Sequence, residues 1–373
     1  MNILFCMGKN YRNFEPLNHF AQRFAREYFG EIHQMIFCDS LESKNNVDNA
    51  FLISLEFGLK YATNLLILAP HHHFNTFLSF IKVKQEVENY KEVPIDIAKE
   101  IFIKSEFILK SKVRRVWLLD LQNIFFPKVD KQSAIKVHFH QNISPTMFLY
   151  LLGIDALSAQ ILLDGIAKDF KVNLEILNAD SNLEVLSATS NNTESLKDFA
   201  KVIETTFMDK IFPTFNLAQS VIDLLLRHHL KITTAESCTG GLVAYWLTKE
   251  SGASEVFDGG VVSYANAIKE SWLEVSKENL EHFGAVSEAV VREMLEGALR
   301  LSGADFALAT SGIAGPNGGS ANKPVGTIFI GIKDRKGAEI IEQLHLKGDR
   351  NYIQTQATIY AYLLFLKVFL LNY

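Results

Sequence analysis

The sequence predicts an α/β protein of three successive domains, and three observations carry that expectation. Over the first 90 residues, short apolar runs alternate with amphipathic helical patterns. A compact α+β pattern occupies 153–212, and from residue 216 strands and helices alternate again and end with one hairpin. The length agrees, since 373 residues suit two or three domains at roughly 150 residues each. The expected architecture is an N-terminal three-layer parallel-sheet domain (1–150), a small α+β middle module (151–212) and a C-terminal layered α/β domain (213–373).

In the front domain, Ile3–Met7, Ile32–Phe37 and Asn64–Ala69 are apolar runs of strand length. Phe14–Tyr28 and Val47–Tyr61 between them space apolar residues by three and four, as a helix with one buried face does. That order implies a parallel sheet with right-handed crossovers. A helix over Ile95–Leu109 and strands at Val113–Leu119 and Ile135–Phe139 are expected next. In the middle module, helices at Ala156–Lys168 and Thr193–Phe207 flank a strand pair, Val172–Ala179 and Glu184–Thr189. Phe212–Thr214, with Pro213, reads as a hinge.

The rear domain begins with a helix at Leu217–His229, a strand at Lys231–Ala235 and a helix at Gly241–Lys249. A strand at Gly259–Tyr264 and a helix at Ile268–Val275 follow. Ser287 caps a helix running to about Leu301. Phe306–Thr310 is a strand, Val325–Lys333 and Ala338–Leu346 form a hairpin, and a last helix starts after Asp349.

Composition excludes several classes. Apolar residues at 48% and charged residues at 21% rule out disorder and fibrous repeats. A formal charge of -5 and a pI of about 6.1 leave no basic footprint for nucleic acid. Cys6, Cys38 and Cys238 are scattered and odd in number, which fits a reducing cytoplasm and no thiolate metal site. The N-terminus lacks the basic region of a signal peptide, and Ile359–Leu371, which contains Lys367, is too short to span a bilayer. Of the 21 glycines, 16 lie after residue 200, whereas 19 of the 28 phenylalanines precede it. Glycine permits close approach of backbone to ligand, so chemistry is expected in the rear.

Three blocks there carry chemical potential. In Thr234-Ala235-Glu236-Ser237-Cys238-Thr239-Gly240-Gly241 a hydroxyl and small residues join a strand to a helix, where free N–H groups attract an anion. Alone, the block is equally a capped helix start. In Ser263-Tyr264-Ala265-Asn266-Ala267-Ile268-Lys269, Asn266 as cap would put Lys269 in the first turn. A cation there opposes the helix dipole, and with burial this favours a neutral amine able to take a proton from Ser237. In Ser311-Gly312-Ile313-Ala314-Gly315-Pro316-Asn317-Gly318-Gly319 a nest of glycines suits a phosphate or oxyanion, with Arg350 as a bidentate anion contact. No metal or cofactor is called for, and Cys238 is a second possible nucleophile beside Ser237.

Together the segments AESCTGG, SYANAIK, GAVS (Gly284–Ser287), SGIAGPNGG, KPVGT and GDR, in that order, resemble the CinA C-terminal domain, the family of PncC-type nicotinamide mononucleotide deamidases. The resemblance covers about residues 213–370. It implies hydrolysis of the carboxamide of nicotinamide mononucleotide to nicotinate mononucleotide and ammonia, in pyridine nucleotide salvage, and it implies a homodimer. It carries over Ser237 as nucleophile, Lys269 as its base and Tyr264 as a supporting catalytic hydroxyl. The substrate-holding set is then Thr239, Gly240, Gly241, Asn266, Ser311, Gly312, Ile313, Ala314, Gly315 and Arg350. Ala265 and Ser311 depart from the family's usual Ser and Thr, and neither change removes a group the chemistry needs.

The front domain's strand–helix order is similar to the molybdopterin-binding-type domain of longer CinA proteins, which is linked to cleavage of ADP-ribose. Its motifs differ: Gly8-Lys9-Asn10-Tyr11-Arg12 and Ala69-Pro70-His71-His72-His73-Phe74 stand where that family has glycine-rich and acidic loops. Pyrophosphatase activity is therefore expected to be absent. His71–His73 are consecutive and cannot all converge on one ion, and His138 with His140 is a weaker pair. The middle module loosely resembles a KH-like linker without a basic stripe. The competing reading from a different class is a non-catalytic nucleotide-binding or interaction protein.

Overall fold

A computed structural model of the chain describes residues 1–7, 11–12, 14–38, 55, 57–59, 62–69, 87–97, 100–109, 114–120, 145–180 and 183–373. The chain divides into two compact units, Met1–Ile143 with Leu177–Asp180, and Ser144–Ile176 with Ser181–Tyr373.

The first unit holds β1 (Asn2–Met7), α1 (Glu15–Phe29), β2 (Gln34–Cys38), β3 (Asn64–Ala69), β4 (Val87–Ile97), β5 (Glu100–Leu109) and β6 (Arg114–Asp120). The strands form one sheet in the order β2-β1-β3-β6-β5-β4. β1 runs parallel to β2 and β3, and β3 parallel to β6, as the alternating apolar runs require. Ile3 to Met7 are fully buried, which is why that strand reads as an unbroken apolar run.

The helix expected over Ile95–Leu109 is not formed. Those residues belong to β4 and β5, which pair antiparallel, and β5 also pairs antiparallel with β6. Ile101, Phe102, Ile103, Phe107 and Ile108 are β-branched or aromatic, and Pro94 precedes them. Such residues lose rotamer freedom in a helix and suit a ladder, so sheet pairing overrides the helical spacing. The sheet is accordingly mixed, with a parallel half and an antiparallel half. His71–His73, His138, His140, the strand expected at Ile135–Phe139, Gly8–Asn10 and most of the helix expected at Val47–Tyr61 lie outside the described residues.

From residue 146, β7 (Thr146–Leu151), α2 (Ala156–Asp169), β8 (Asn173–Asp180, of which 173–176 belong to the second unit), β9 (Leu183–Thr189), α3 (Thr193–Thr206) and β10 (Ile211–Thr214) follow one another. Their sheet order is β10-β7-β9-β8, a βαββαβ arrangement. The hinge expected at Phe212–Thr214 is instead β10, buried at all four residues and antiparallel to β7. Pro213 is tolerated because β10 is an edge strand.

The remainder comprises α4 (Leu217–His228), β11 (Ile232–Glu236), α5 (Leu242–Thr248), α6 (Ala253–Val256), β12 (Gly260–Val262), α7 (Asn266–Leu273), α8 (Lys277–Phe283), α9 (Glu288–Ser302), β13 (Phe306–Gly312), β14 (Thr327–Asp334), β15 (Glu339–His345) and α10 (Arg350–Asn372). The sheet order is β12-β11-β13-β14-β15, with β12, β11 and β13 parallel and the last two antiparallel. Along β13, Ala307 and Ala309 join the cluster containing Val291, Met294 and Leu295 of α9. Phe306 instead meets Phe365 of α10, ring centroids 5.2 Å apart. Successive strand residues face opposite sides, so α9 covers one face and α10 the other. A side chain at Gly331 would strike Val291 and Leu295, so glycine there lets α9 approach the sheet.

The apolar stretch Ile359–Leu371 lies inside α10, a 23-residue helix long and apolar enough to cross a membrane. Within the protein, 72% of its most apolar window is buried. A helix apolar on every side and enclosed by sheet and helices is a core helix.

Candidate active site

Three of the sequence blocks meet because three parallel strands end in register. Glu236 at the end of β11 lies opposite Val262 of β12 and Thr310 of β13. The residues just beyond are stitched across: Ser237 N–H donates to Thr310 O at 2.9 Å, and Ser263 N–H to Glu236 O at 2.7 Å. Carboxyl ends of parallel strands are where open α/β sheets bind ligands.

Lys269 reaches this edge from the first turn of α7. Its Nζ donates to Ser237 Oγ at 3.1 Å, to Ser263 O at 2.7 Å and to Tyr264 O at 3.5 Å. The side chain is 1% exposed, and among the described residues no carboxylate pairs with it. Burial lowers its pKa from the ordinary lysine value. A neutral amine has two N–H bonds and one lone pair. The two carbonyls can take the N–H bonds and leave the lone pair facing the Ser237 hydroxyl. Gly297 of α9 holds α7 close, since a side chain there would strike the Leu273 backbone.

The helix start after Ser237 is not vacant as the sequence suggested. Glu236 is fully buried, and its carboxylate accepts from Gly241 N–H at 2.9 Å, Val243 N–H at 3.0 Å and Ala244 N–H at 2.8 Å. It also accepts from Thr239 Oγ1 at 2.6 Å. The proton of Thr239 is thus committed, which makes Thr310 Oγ1 the donor in the 2.7 Å bond between the two threonines. Glu236 caps α5 from the preceding strand, a role that sequence reasoning missed. An acid immediately ahead of a glycine-rich helix start was the available signal. Thr239 and Gly241 therefore serve that brace, and Gly240 and Gly241 adopt positive φ of 65° and 99° to form the turn. Asn266 does not cap α7 either; Ala265 occupies the cap position and Asn266 is the first helical residue. Main-chain geometry, with Ala265 O accepting from Ile268 and Lys269, starts that helix without a side-chain cap.

The glycine-rich loop after β13 divides between packing and recognition. A side chain at Gly312 would strike Ile328 and the Thr327 carbonyl, so its glycine answers strand packing. Ile313 N–H donates to Thr327 O at 2.9 Å, and Ser311 Oγ to Ala285 O at 2.6 Å, which spends its proton on the Gly284–Ser287 block. Ala314 and Gly315 are buried and, among the described residues, their N–H groups meet no acceptor. Gly315 has φ 84° and Val325 against its Cα. Arg350 opens α10, donating to Gly315 O and to Tyr264 Oη, each at 2.9 Å. Tyr264 is 61% exposed, so its hydroxyl stands with Arg350 on the rim, while its main-chain carbonyl receives Lys269.

Cys238 is buried, and burial pushes its thiol up to about 12. A thiol held protonated is a poor nucleophile. Among the described residues no group of three metal-binding side chains occurs.

The profile of the family described as CinA C-terminal domain matches residues 214–369. A nicotinamide-nucleotide amidohydrolase PncC of Enterobacter agglomerans is 47% identical over 141 residues, 38% of this chain and 86% of that protein. A putative competence-damage inducible protein of Thermoanaerobacter pseudethanolicus is 46% identical over 145 residues, but those cover 39% of this chain and 35% of the relative. The chain thus spans about a third of that longer protein. The crystal structure of a competence/damage inducible protein CihA from Agrobacterium tumefaciens aligns at 42% identity over 41% of this chain and 93% of its own, with a TM-score of 0.40.

Proposed function

This chain belongs to the CinA family, and on that premise we propose that residues 213–373 are a nicotinamide-nucleotide amidase. The reaction is hydrolysis of the carboxamide of nicotinamide mononucleotide to nicotinate mononucleotide and ammonia, in pyridine nucleotide salvage. The observation that carries the reading is the 3.1 Å contact between Ser237 Oγ and a buried, uncompensated Lys269.

In this mechanism Ser237 Oγ attacks the amide carbon as Lys269 takes its proton. The carbonyl π electrons move onto oxygen, and main-chain N–H groups stabilise the resulting oxyanion. The tetrahedral intermediate collapses, Lys269 returns the proton to nitrogen, and ammonia leaves. Water then attacks the acyl ester, Lys269 accepting and returning a proton once more, and nicotinate mononucleotide departs. Tyr264, whose hydroxyl accepts from Arg350, is the supporting catalytic hydroxyl, and Arg350 with the free N–H groups of Ala314 and Gly315 holds the nucleotide.

The test is ammonia release from nicotinamide mononucleotide by the full chain, beside Ser237→Ala and Lys269→Ala. Turnover by the wild type and its loss in both variants supports the amidase. No turnover by the wild type favours a non-catalytic nucleotide-binding role. Residues 1–150 act as a domain without pyrophosphatase activity in this reading, residues 151–212 as a linker, and the enzyme as a cytoplasmic homodimer. Metal-dependent cleavage of ADP-ribose by the full chain would overturn the first of these.

A further inference from the structure

Gln354 lies one turn into α10 and donates from Nε2 to the main-chain oxygen of Cys238 at 2.7 Å. Cys238 follows Ser237, and its carbonyl shares a peptide plane with the N–H of Thr239. In a trans peptide those two groups point in opposite directions, so a donor fixed on the oxygen also aims the N–H.

Of the N–H groups from Ser237 to Leu242, all but those of Cys238 and Thr239 meet a main-chain or carboxylate acceptor among the described residues. Ser237 donates to Thr310 O, Gly240 to Ser237 O and Leu242 to Thr239 O, while Gly241 donates to Glu236. Thr239 is 3% exposed, yet its N–H meets no acceptor among the described residues. Buried N–H groups without partners are rare, and one beside a nucleophile is a donor awaiting an arriving oxygen.

We propose that Gln354 is a positioning residue that pins the Cys238–Thr239 peptide so that Thr239 N–H faces the oxyanion formed when Ser237 attacks. The bond to the carbonyl also polarises that peptide and strengthens the N–H as a donor. The inference rests on the amidase reading above. It links the helix carrying Arg350 to the nucleophile turn by a side chain that touches no reacting atom.

Gln356 supplies the comparison. It is the same residue type on the same helix, 2% exposed, and donates to Lys347 O at 2.7 Å, outside the Ser237 turn. Steady-state ammonia release from nicotinamide mononucleotide is measured for the wild-type chain, Gln354→Leu, Gln354→Glu, Gln356→Glu and Ser237→Ala. Removing one oxyanion donor costs about 10²–10³-fold, so misaiming one is expected to lower kcat by about 10–100-fold in both Gln354 variants. KM should stay within about 3-fold, as for an interaction made in the transition state. The Gln354→Glu variant should recover relative to wild type as pH falls, because a protonated carboxyl again donates to Cys238 O. Gln356→Glu should leave kcat within about 3-fold.

Should Gln354→Leu fail to fold, the isosteric Gln354→Glu carries the test. Wild-type kcat in Gln354→Glu, a pH-independent ratio to wild type, or an equal kcat loss in Gln356→Glu overturns the inference while leaving the amidase intact. Absence of ammonia release by the wild type overturns the amidase reading instead, and turnover by Ser237→Ala overturns Ser237 as its nucleophile.

Discussion

Two helices start beside Ser237, and each receives a buried ionisable side chain of opposite sign. At the start of α5, Glu236 accepts four hydrogen bonds, three from main-chain N–H groups, and a helix N-terminus favours its negative charge. In the first turn of α7, Lys269 meets two carbonyls and one hydroxyl, all uncharged, and the helix field opposes a cation. The first group is held by four donors; the second is pressed toward its neutral form by burial. The same strand–turn–helix location thus serves stability or chemistry according to the partners that the fold supplies.

The strongest way to break this contrast is Lys269→Met. Loss of a general base and its proton return should lower turnover by about 10³–10⁴-fold. The same change should raise thermal stability, since it removes a buried group whose charged form is disfavoured. The sign follows from linkage. Burial lowers the folded pKa below 10.5, so between the two values the unfolded chain binds more protons and wild-type stability rises with pH. The stability gain from Lys269→Met is therefore full below the lowered pKa and fades as pH approaches 10.5. Melting temperatures of both proteins across that range check it; a destabilised Lys269→Met at neutral pH would count against a strained base.

Glu236→Ala should do the reverse, costing about 2–4 kcal/mol because Gly241, Val243 and Ala244 lose their acceptor. Urea unfolding measures this, and Glu236→Gln, which keeps one acceptor oxygen, should cost about half as much. A smaller effect is expected in the wild-type pH profile, where kcat/KM should rise with pH through the lowered Lys269 pKa. A profile that falls over that limb would mean that the ammonium is the working form. The least effect belongs to Cys238→Ala. With the thiol held near 12, turnover should stay within about 3-fold. If Cys238→Ala abolishes turnover while Ser237→Ala retains it, the nucleophile is the cysteine.

Much of the second unit was legible in its sequence because the signals are local. Ser287 and Asp349 cap α9 and α10 as their positions suggested, accepting from Val290 and Tyr352 N–H. The Asp334-Arg335-Lys336-Gly337 turn joins β14 to β15. The strand pair β4–β5 was misread because its apolar spacing suits a helix in isolation, and neighbouring strands decide the matter. β10 was misread because proline suggests a break, whereas an edge position needs no N–H.

What the sequence by itself determined is the inventory: a hydroxyl after an apolar strand, a lysine in a helix's first turn, glycines beside an arginine-led helix. These follow from residue type and spacing within a dozen positions. Only the tertiary structure decided the partnerships. It assigned the α5 N–H groups to Glu236, Arg350 to Tyr264 and Gly315, and Gln354 to the peptide behind Ser237. Those pairings depend on three parallel strands ending in register and on a C-terminal helix crossing the sheet. Each joins groups distant along the chain or competing for one donor, so local pattern cannot rank them. A buried hydrogen bond goes to the partner that the packed fold brings within 3 Å or so.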